Sequence, residues 1–315
     1  MDFARIASLG HRFLETAGPR VERSRQLIIE TAGPRLERIR QQYLDEAVPA
    51  IDRTRQRILD DALPRLERSR QRWLDSSYAT YWEVRHIVAP CHTDDFAGGS
   101  LAPVLLLPGV YETWQFLQPI ADRLNQLGHP IHIIPTFGYN VGSIPAMAAL
   151  AQSYLDEHDL YGVMVVAHSK GGLIAKHMMV TNDTSGRIAR VIAVNTPFAG
   201  SPLARYAIRR VFREFAPTDV TVTTLGARID VNARITSIYA EEDPIIPGGS
   251  ELAGATNIRL PLIGHFRLLS SALVFEQIEA ALADSAADIA AAADIAVTAD
   301  ATPKTTASVT TASVS

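Results

Sequence analysis

Two hydrophobic rhythms share this chain. From Tyr81 to about residue 283, short apolar runs alternate with longer stretches in which apolar residues return every three or four positions. The runs "WEVRHIV", "PVLLLP", "IHIIP", "GVMVVAH", "ARVIAVN", "RITSIYA" and "NIRLPL" have the length of buried strands. Between them "TWQFLQPIADRLNQLG", "SIPAMAALAQSYLDEH", "KGGLIAKHMMV" and "FRLLSSALVFEQIEAAL" read as helices. This alternation predicts an α/β fold, a mostly parallel sheet with helices on both faces.

The first 75 residues keep a different rhythm. "ETAGPRVERSRQLII", "ETAGPRLERIRQQYL", "DEAVPAIDRTRQRIL" and "DDALPRLERSRQRWL" follow one another without a gap from Glu15 to Leu74, a 15-residue repeat in four copies. Apolar residues hold the third place (Ala17, Ala32, Ala47, Ala62), the seventh (Val21, Leu36, Ile51, Leu66) and the last two, as in Trp73 and Leu74. Those offsets mark one helical face. An acid precedes an Arg by three in every copy (Glu22 and Arg25, Glu37 and Arg40, Asp52 and Arg55, Glu67 and Arg70), which supports the opposite face. The recurring Pro19, Pro34, Pro49 and Pro64 argue against one straight rod and predict four short helices or four kinked segments. Fifteen residues over four turns also exceed the α-helical period, which favours a right-handed supercoil wherever packing is unbroken.

Composition sharpens this division. The chain of 315 residues is 47% hydrophobic, enough for one sizeable core and an appendage. Its net charge of −4 hides fifteen Arg, no Lys and eleven acids in residues 1–74, a balance of +4 that leaves −8 elsewhere. Three domains are expected: a helical arm over 1–76 with repeats at 15–74, an α/β domain over 77–283 with a cap at about 198–230, and a low-complexity, disordered tail over 284–315. The single Cys91 excludes an intramolecular disulfide and a thiolate cluster. With no signal-like or membrane-spanning run, a cytoplasmic protein is expected. The arm reads as a spacer or self-association stalk, or as an amphipathic surface meeting a membrane or lipid particle. Its interleaved acids argue against nucleic acid.

The chemistry gathers where strands end. In "VVAHSKGG" Ser169 stands between a strand and a helix, among the small residues that a tight elbow needs. Helix entry points the Lys170 N–H toward charge developing beside the serine. A serine that merely caps a helix is the plain alternative. Asp243 follows the strand "RITSIYA", and His265 follows "NIRLPL", so a hydroxyl, an acid and an imidazole appear in the order Ser, Asp, His. A serine hydroxyl needs such partners, one to take its proton and one to hold the imidazole tautomer. Glu241 and Glu242 are read as solvated loop carboxylates. In "PGVYETW", Gly109 lets the chain turn and offers the Val110 N–H as a second donor. His168 is read as packing or pocket lining, His129, His132 and His177 lack ligand spacing, and no phosphate-loop or dinucleotide pattern occurs, so neither metal nor cofactor is expected.

On "LLLPGVYETW", "VVAHSKGG", "VNTPFAGSPLA", "YAEEDPIIP" and "GHFRLLSS", residues 81–283 resemble α/β-hydrolases, nearest to bacterial serine lipases and esterases with an A-H-S-x-G-G elbow. The resemblance implies Ser169 as nucleophile, Asp243 as acid, His265 as base, and Val110 with Lys170 as oxyanion donors. Two departures stand out: Ala167 where glycine is usual, and Pro108-Gly109 where many relatives carry His-Gly. The expected activity is hydrolysis of a small-molecule or lipid carboxylic ester through an acyl-enzyme. Acyl transfer or thioester cleavage would use the same residues. A different class of protein, a scaffold whose repeats are the functional part, is the remaining alternative. In the cap, "LARYAIRRVFREFA" is expected to form one helix with Ile208, Val211, Phe212 and Phe215 on a single face.

Overall fold

A computed structural model describes residues 33–88 and 93–284, with 19, 22, 23, 26, 27, 30 and 31 ahead of them. Cys91, most of the first repeat and the tail beyond Asp284 lie outside the described residues. The chain divides into two units between Ser69 and Arg70, ahead of the boundary expected after residue 76.

In the first unit Pro49 and Pro64 do not start new helices. Helical residues 33–42 (α1) run into a π turn, Tyr43–Ala47, then α2 (Val48–Arg57), a second π turn, Ile58–Ala62, and α3 (Leu63–Val88), which continues into the second unit. The Val48 N–H reaches back to the Tyr43 carbonyl and the Leu63 N–H to that of Ile58, five residues in each case. Pro49 and Pro64 come next. A proline has no N–H to give and collides with the carbonyl four residues back, which here belongs to Asp45 or Asp60, inside the wide turn. The same turns account for the period, since three α turns use about 11 of 15 residues and leave about 4 for the fourth. Among the described residues from Gly33 to Ser69 none is buried.

The second unit is built on six strands: β1 (Val104–Leu107), β2 (Ile131–His132), β3 (Val163–His168), β4 (Ile188–Val194), β5 (Ile235–Glu242) and β6 (Thr256–Ile263). They lie in the order β2-β1-β3-β4-β5-β6, all parallel, with Leu107 beside Ala167 and His168 beside Val194. The sheet is covered on both faces, as its two-residue side-chain period requires. Val163, Val165 and Ala167 join a core layer with α5 (Ile144–Glu157) and α6 (Lys170–His177). Met164 and Val166 join another with α4 (Gln118–Gln126), Trp82 of α3 and the helix over 272–284 (α9). No helix among the described residues is long and apolar enough to cross a membrane.

Two expected elements differ. "WEVRHIV" is the end of α3, not a strand: Asp75, Tyr78, Ala79 and Trp82 recur at three- and four-residue steps as its inner face, and the Tyr78 hydroxyl donates to the Phe116 carbonyl at 3.0 Å. The expected cap helix is two pieces, a 3₁₀ turn Pro202–Tyr206 and the single turn α7 (Arg210–Arg213), because Ala207 and Arg209 between them are extended. Arg209 is held there by the Tyr111 hydroxyl at 2.8 Å. Phe212 and Phe215 therefore turn inward while Ile208 faces solvent. α8 (Val220–Ala227) follows, capped by Asp219.

Candidate active site

The chain runs out to edge strand β2 and back to β3, which makes the carboxyl ends of β1 and β3 the switch point where open α/β sheets place ligands. Ser169 stands there with φ 50° and ψ −118°, a conformation that costs energy in a non-glycine residue and must be imposed by its surroundings. Its N–H donates to the Val194 carbonyl at 2.9 Å, and α6 begins at the next residue. A Cβ on Gly171 would overlap the Leu107 carbonyl oxygen, so the helix meets β1 at a distance only glycine allows. Ala167 lies two residues before Ser169, within β3 and fully buried in the sheet core, where its methyl is packed.

Three distant residues meet at this elbow. The Ser169 hydroxyl donates to His265 Nε2 at 3.0 Å, and His265 Nδ1–H donates to Asp243 Oδ2 at 2.6 Å. The other Asp243 oxygen accepts the Ile245 and Ile246 N–H groups at 2.8 and 3.0 Å, which fixes the carboxylate plane. Glu241 instead pairs with Arg259 at the surface, and Glu242 is also exposed. Of the two expected backbone donors, neither the Val110 N–H nor the Lys170 N–H is taken by a protein acceptor among the described residues. The Lys170 side chain points away, its ammonium donating to the carbonyls of Asn140 and Gly142. Burial draws its pKa down to about 8 against the pull of Glu214.

Beneath the elbow lies a polar layer that the sequence pattern did not reveal. His168 Nδ1 faces the two Glu112 oxygens at 2.8 and 2.9 Å, and its Nε2–H donates to the His265 carbonyl at 3.0 Å. Glu112 also accepts the Gly109 N–H at 2.8 Å, so the pair joins the β1 exit loop to the His265 loop. Burial pulls the His168 pKa down, but the Glu112 charge and hydrogen bond outweigh it and hold the imidazole above its ordinary value. His168 is thus a buried brace. Donor atoms of Glu112, His168 and His265 lie within 4.8 Å of one another, yet they are spent on these hydrogen bonds.

A second missed residue is Asp75, whose buried carboxylate meets the backbone beside His265. A signal existed: Glu15, Glu30, Asp45 and Asp60 open the four repeats, and Asp75 falls at the next 15-residue step.

The site opens on a cavity of about 280 Å³ lined chiefly by Val110, Phe116, Phe212, Phe215, Ile245 and Phe266. Ala79 and Glu83 of α3 complete one wall. The Glu83 carboxyl is raised by burial, with the His86 charge opposing.

Parallel order, elbow and site position give residues 70–284 the arrangement of the α/β-hydrolase fold. More particularly, the family described as "PGAP1-like alpha/beta domain" matches residues 145–217, from α5 through the elbow to just past α7. Among solved structures, the mature form of a Bacillus licheniformis lipase is similar at 15% identity over 59% of this chain and 92% of its own, with a TM-score of 0.46. A thermophilic esterase from Thermogutta terrifontis is similar at 16% identity over 60% of this chain and 92% of its own, with a TM-score of 0.42.

Proposed function

We propose that the protein is a serine hydrolase that cleaves carboxylic esters with a small apolar acyl group. One observation carries this reading: the Ser169–His265–Asp243 chain of hydrogen bonds at 3.0 and 2.6 Å opens onto an apolar cavity. In this mechanism His265 Nε2 takes the Ser169 proton as the oxygen attacks the ester carbonyl. Asp243 holds Nδ1 protonated and stabilises the imidazolium. The Val110 and Lys170 N–H groups receive the charge on the tetrahedral oxygen. His265 then protonates the departing alkoxide, leaving an acyl group on Ser169, and a water activated by the same imidazole releases the acid. The cavity, at 280 Å³, is below the usual ligand-pocket range of about 300–1,000 Å³, which favours short acyl chains.

The test is a chain-length series of p-nitrophenyl esters together with fluorophosphonate labelling. Labelling at Ser169, its loss in Ser169→Ala, and turnover falling as the acyl chain grows are expected. A folded protein that is inert to both reagents would remove the proposal. The arm, in this reading, serves self-association or contact with a membrane surface. Light scattering and vesicle flotation of the full chain beside one starting at Arg70 test that role, and identical behaviour of the two would exclude it.

A further inference from the structure

His265 belongs to a loop between β6 and the 3₁₀ turn Arg267–Ser270, without sheet or helix hydrogen bonds to hold it. Its imidazole must nevertheless serve Ser169 and Asp243 at once. The loop backbone is instead held from two sides. On the carbonyl side, Asn195 Nδ2 donates to the Gly264 and His265 carbonyls at 3.2 and 3.1 Å, beside the bond from His168. On the N–H side, one carboxylate does everything: Asp75 Oδ2 accepts from His265 at 2.9 Å, and Oδ1 accepts from Phe266 and Arg267 at 2.8 Å each. Three consecutive N–H groups converging on one buried anion form a nest, the backbone's own anion site. Glycine at 264 is part of the fit, since its φ is +129° and a Cβ there would come within 2.5 Å of Asp75 Oδ1.

We propose that Asp75 is a positioning residue for His265, so that α3, the helix that carries the last repeat, is part of the machinery of the hydrolase site. The inference rests on the reading of His265 as the base. Asp75 touches no reacting atom. It fixes the backbone from which the imidazole projects. Misplacing a group at a reacting centre by about 1 Å costs on the order of 100-fold in rate.

The experiment compares full-length wild type, Asp75→Asn and Asp75→Glu in p-nitrophenyl ester turnover, with kcat and KM determined separately for each. In Asp75→Asn an amide NH₂ faces the His265 N–H, donor against donor, while bulk is kept. The expected result is a kcat lowered about 10- to 100-fold at unchanged KM. Asp75→Glu keeps two acceptor oxygens but pushes them against Gly264, so a smaller loss of kcat at unchanged KM is expected, and it carries the test if Asp75→Asn does not fold. Either variant, folded by thermal melt and with wild-type kcat, overturns the inference, as does a change confined to KM. If wild type itself neither turns over ester nor labels at Ser169, the reading of the site has failed. An active wild type beside indifferent Asp75 variants defeats the Asp75 proposal alone.

Discussion

The arm and the α/β domain both place apolar residues with a strict rhythm, and only one of them buries them. In β1 and β3 every residue is buried, whereas Leu36, Ile51, Leu59 and Leu66 of the arm are all exposed, and no residue from Gly33 to Ser69 whose burial is described is more than partly buried. Periodicity therefore decides local structure in both regions, but a core needs a second surface at the right distance. The change of regime falls within one helix. Along α3, Leu66 and Trp73 are 67% and 68% exposed, while Asp75 and Trp82 are 4% and 7%.

The sharpest way to break this contrast is to make the same substitution on each side. Leu105→Ala in β1, fully buried, should cost about 2–5 kcal/mol. Leu59→Ala in the arm should stay within about 0.5 kcal/mol, since it removes an exposed side chain. Urea melts followed by ester turnover and by circular dichroism check both. A cost above about 1 kcal/mol for Leu59→Ala would show that the arm's apolar face is packed in solution.

A next test locates the border between the two regimes. A chain starting at Arg70 retains Asp75 and should match the full chain in turnover. One starting at residue 77 lacks Asp75 and should lose on the order of 100-fold, even where its core strands are complete. Equal activity of the two shortened chains would put the border where the repeat pattern alone puts it.

That border shows what the sequence could carry. The five full-length strands and the positions of Ser169, Asp243 and His265 past strand ends were legible because each depends on local pattern and chain order. Residues 82–88 were not: "WEVRHIV" alternates like a strand over its short length, and only contacts with Phe116 and the sheet reveal a helical face. Asp75 and Glu112 escaped for a related reason. Their partners are 190 and 56 residues away, and nothing local distinguishes a carboxylate that meets buried N–H groups from one in water. Ile208 erred in the other direction, since Arg209 on Tyr111 breaks the helix that would have turned it inward.

Charge pairs should divide along the same line. The buried Glu112–His168 pair has a raised imidazole pKa, so its contribution to stability is complete below the unfolded value of about 6.5 and is lost as pH rises through the folded value. Glu112→Gln should therefore destabilise by about 1–2 kcal/mol in mild acid, and the gap from wild type should narrow toward alkaline pH. The arm's Glu37–Arg40 pair, 2.8 Å apart but exposed on both sides, should show no such dependence in Glu37→Gln. Melting temperatures across pH 5–9 in both variants make the comparison. A gap for Glu112→Gln that widens with pH would contradict the assignment of charge to His168.

The smallest effect concerns the arm itself, and it asks why its rhythm includes proline at all. Fifteen residues of unbroken α-helix advance by four turns and about 60°, so a plain helix would rotate its apolar face by that angle at every repeat. The π turns Tyr43–Ala47 and Ile58–Ala62 absorb the excess and keep successive repeats in line, and each is followed by a proline that an ordinary turn would not tolerate. Because the colliding carbonyl already lies in the wider turn, Pro49→Ala with Pro64→Ala should stabilise the arm by only a few tenths of a kcal/mol, well below the roughly 3 kcal/mol of a proline in a regular helix. Ellipticity at 222 nm through a thermal melt of the full chain measures this, with ester turnover as the control that should not move. A gain near 3 kcal/mol would mean that the prolines strain the arm, and the 15-residue period would then need a cause other than the π turn.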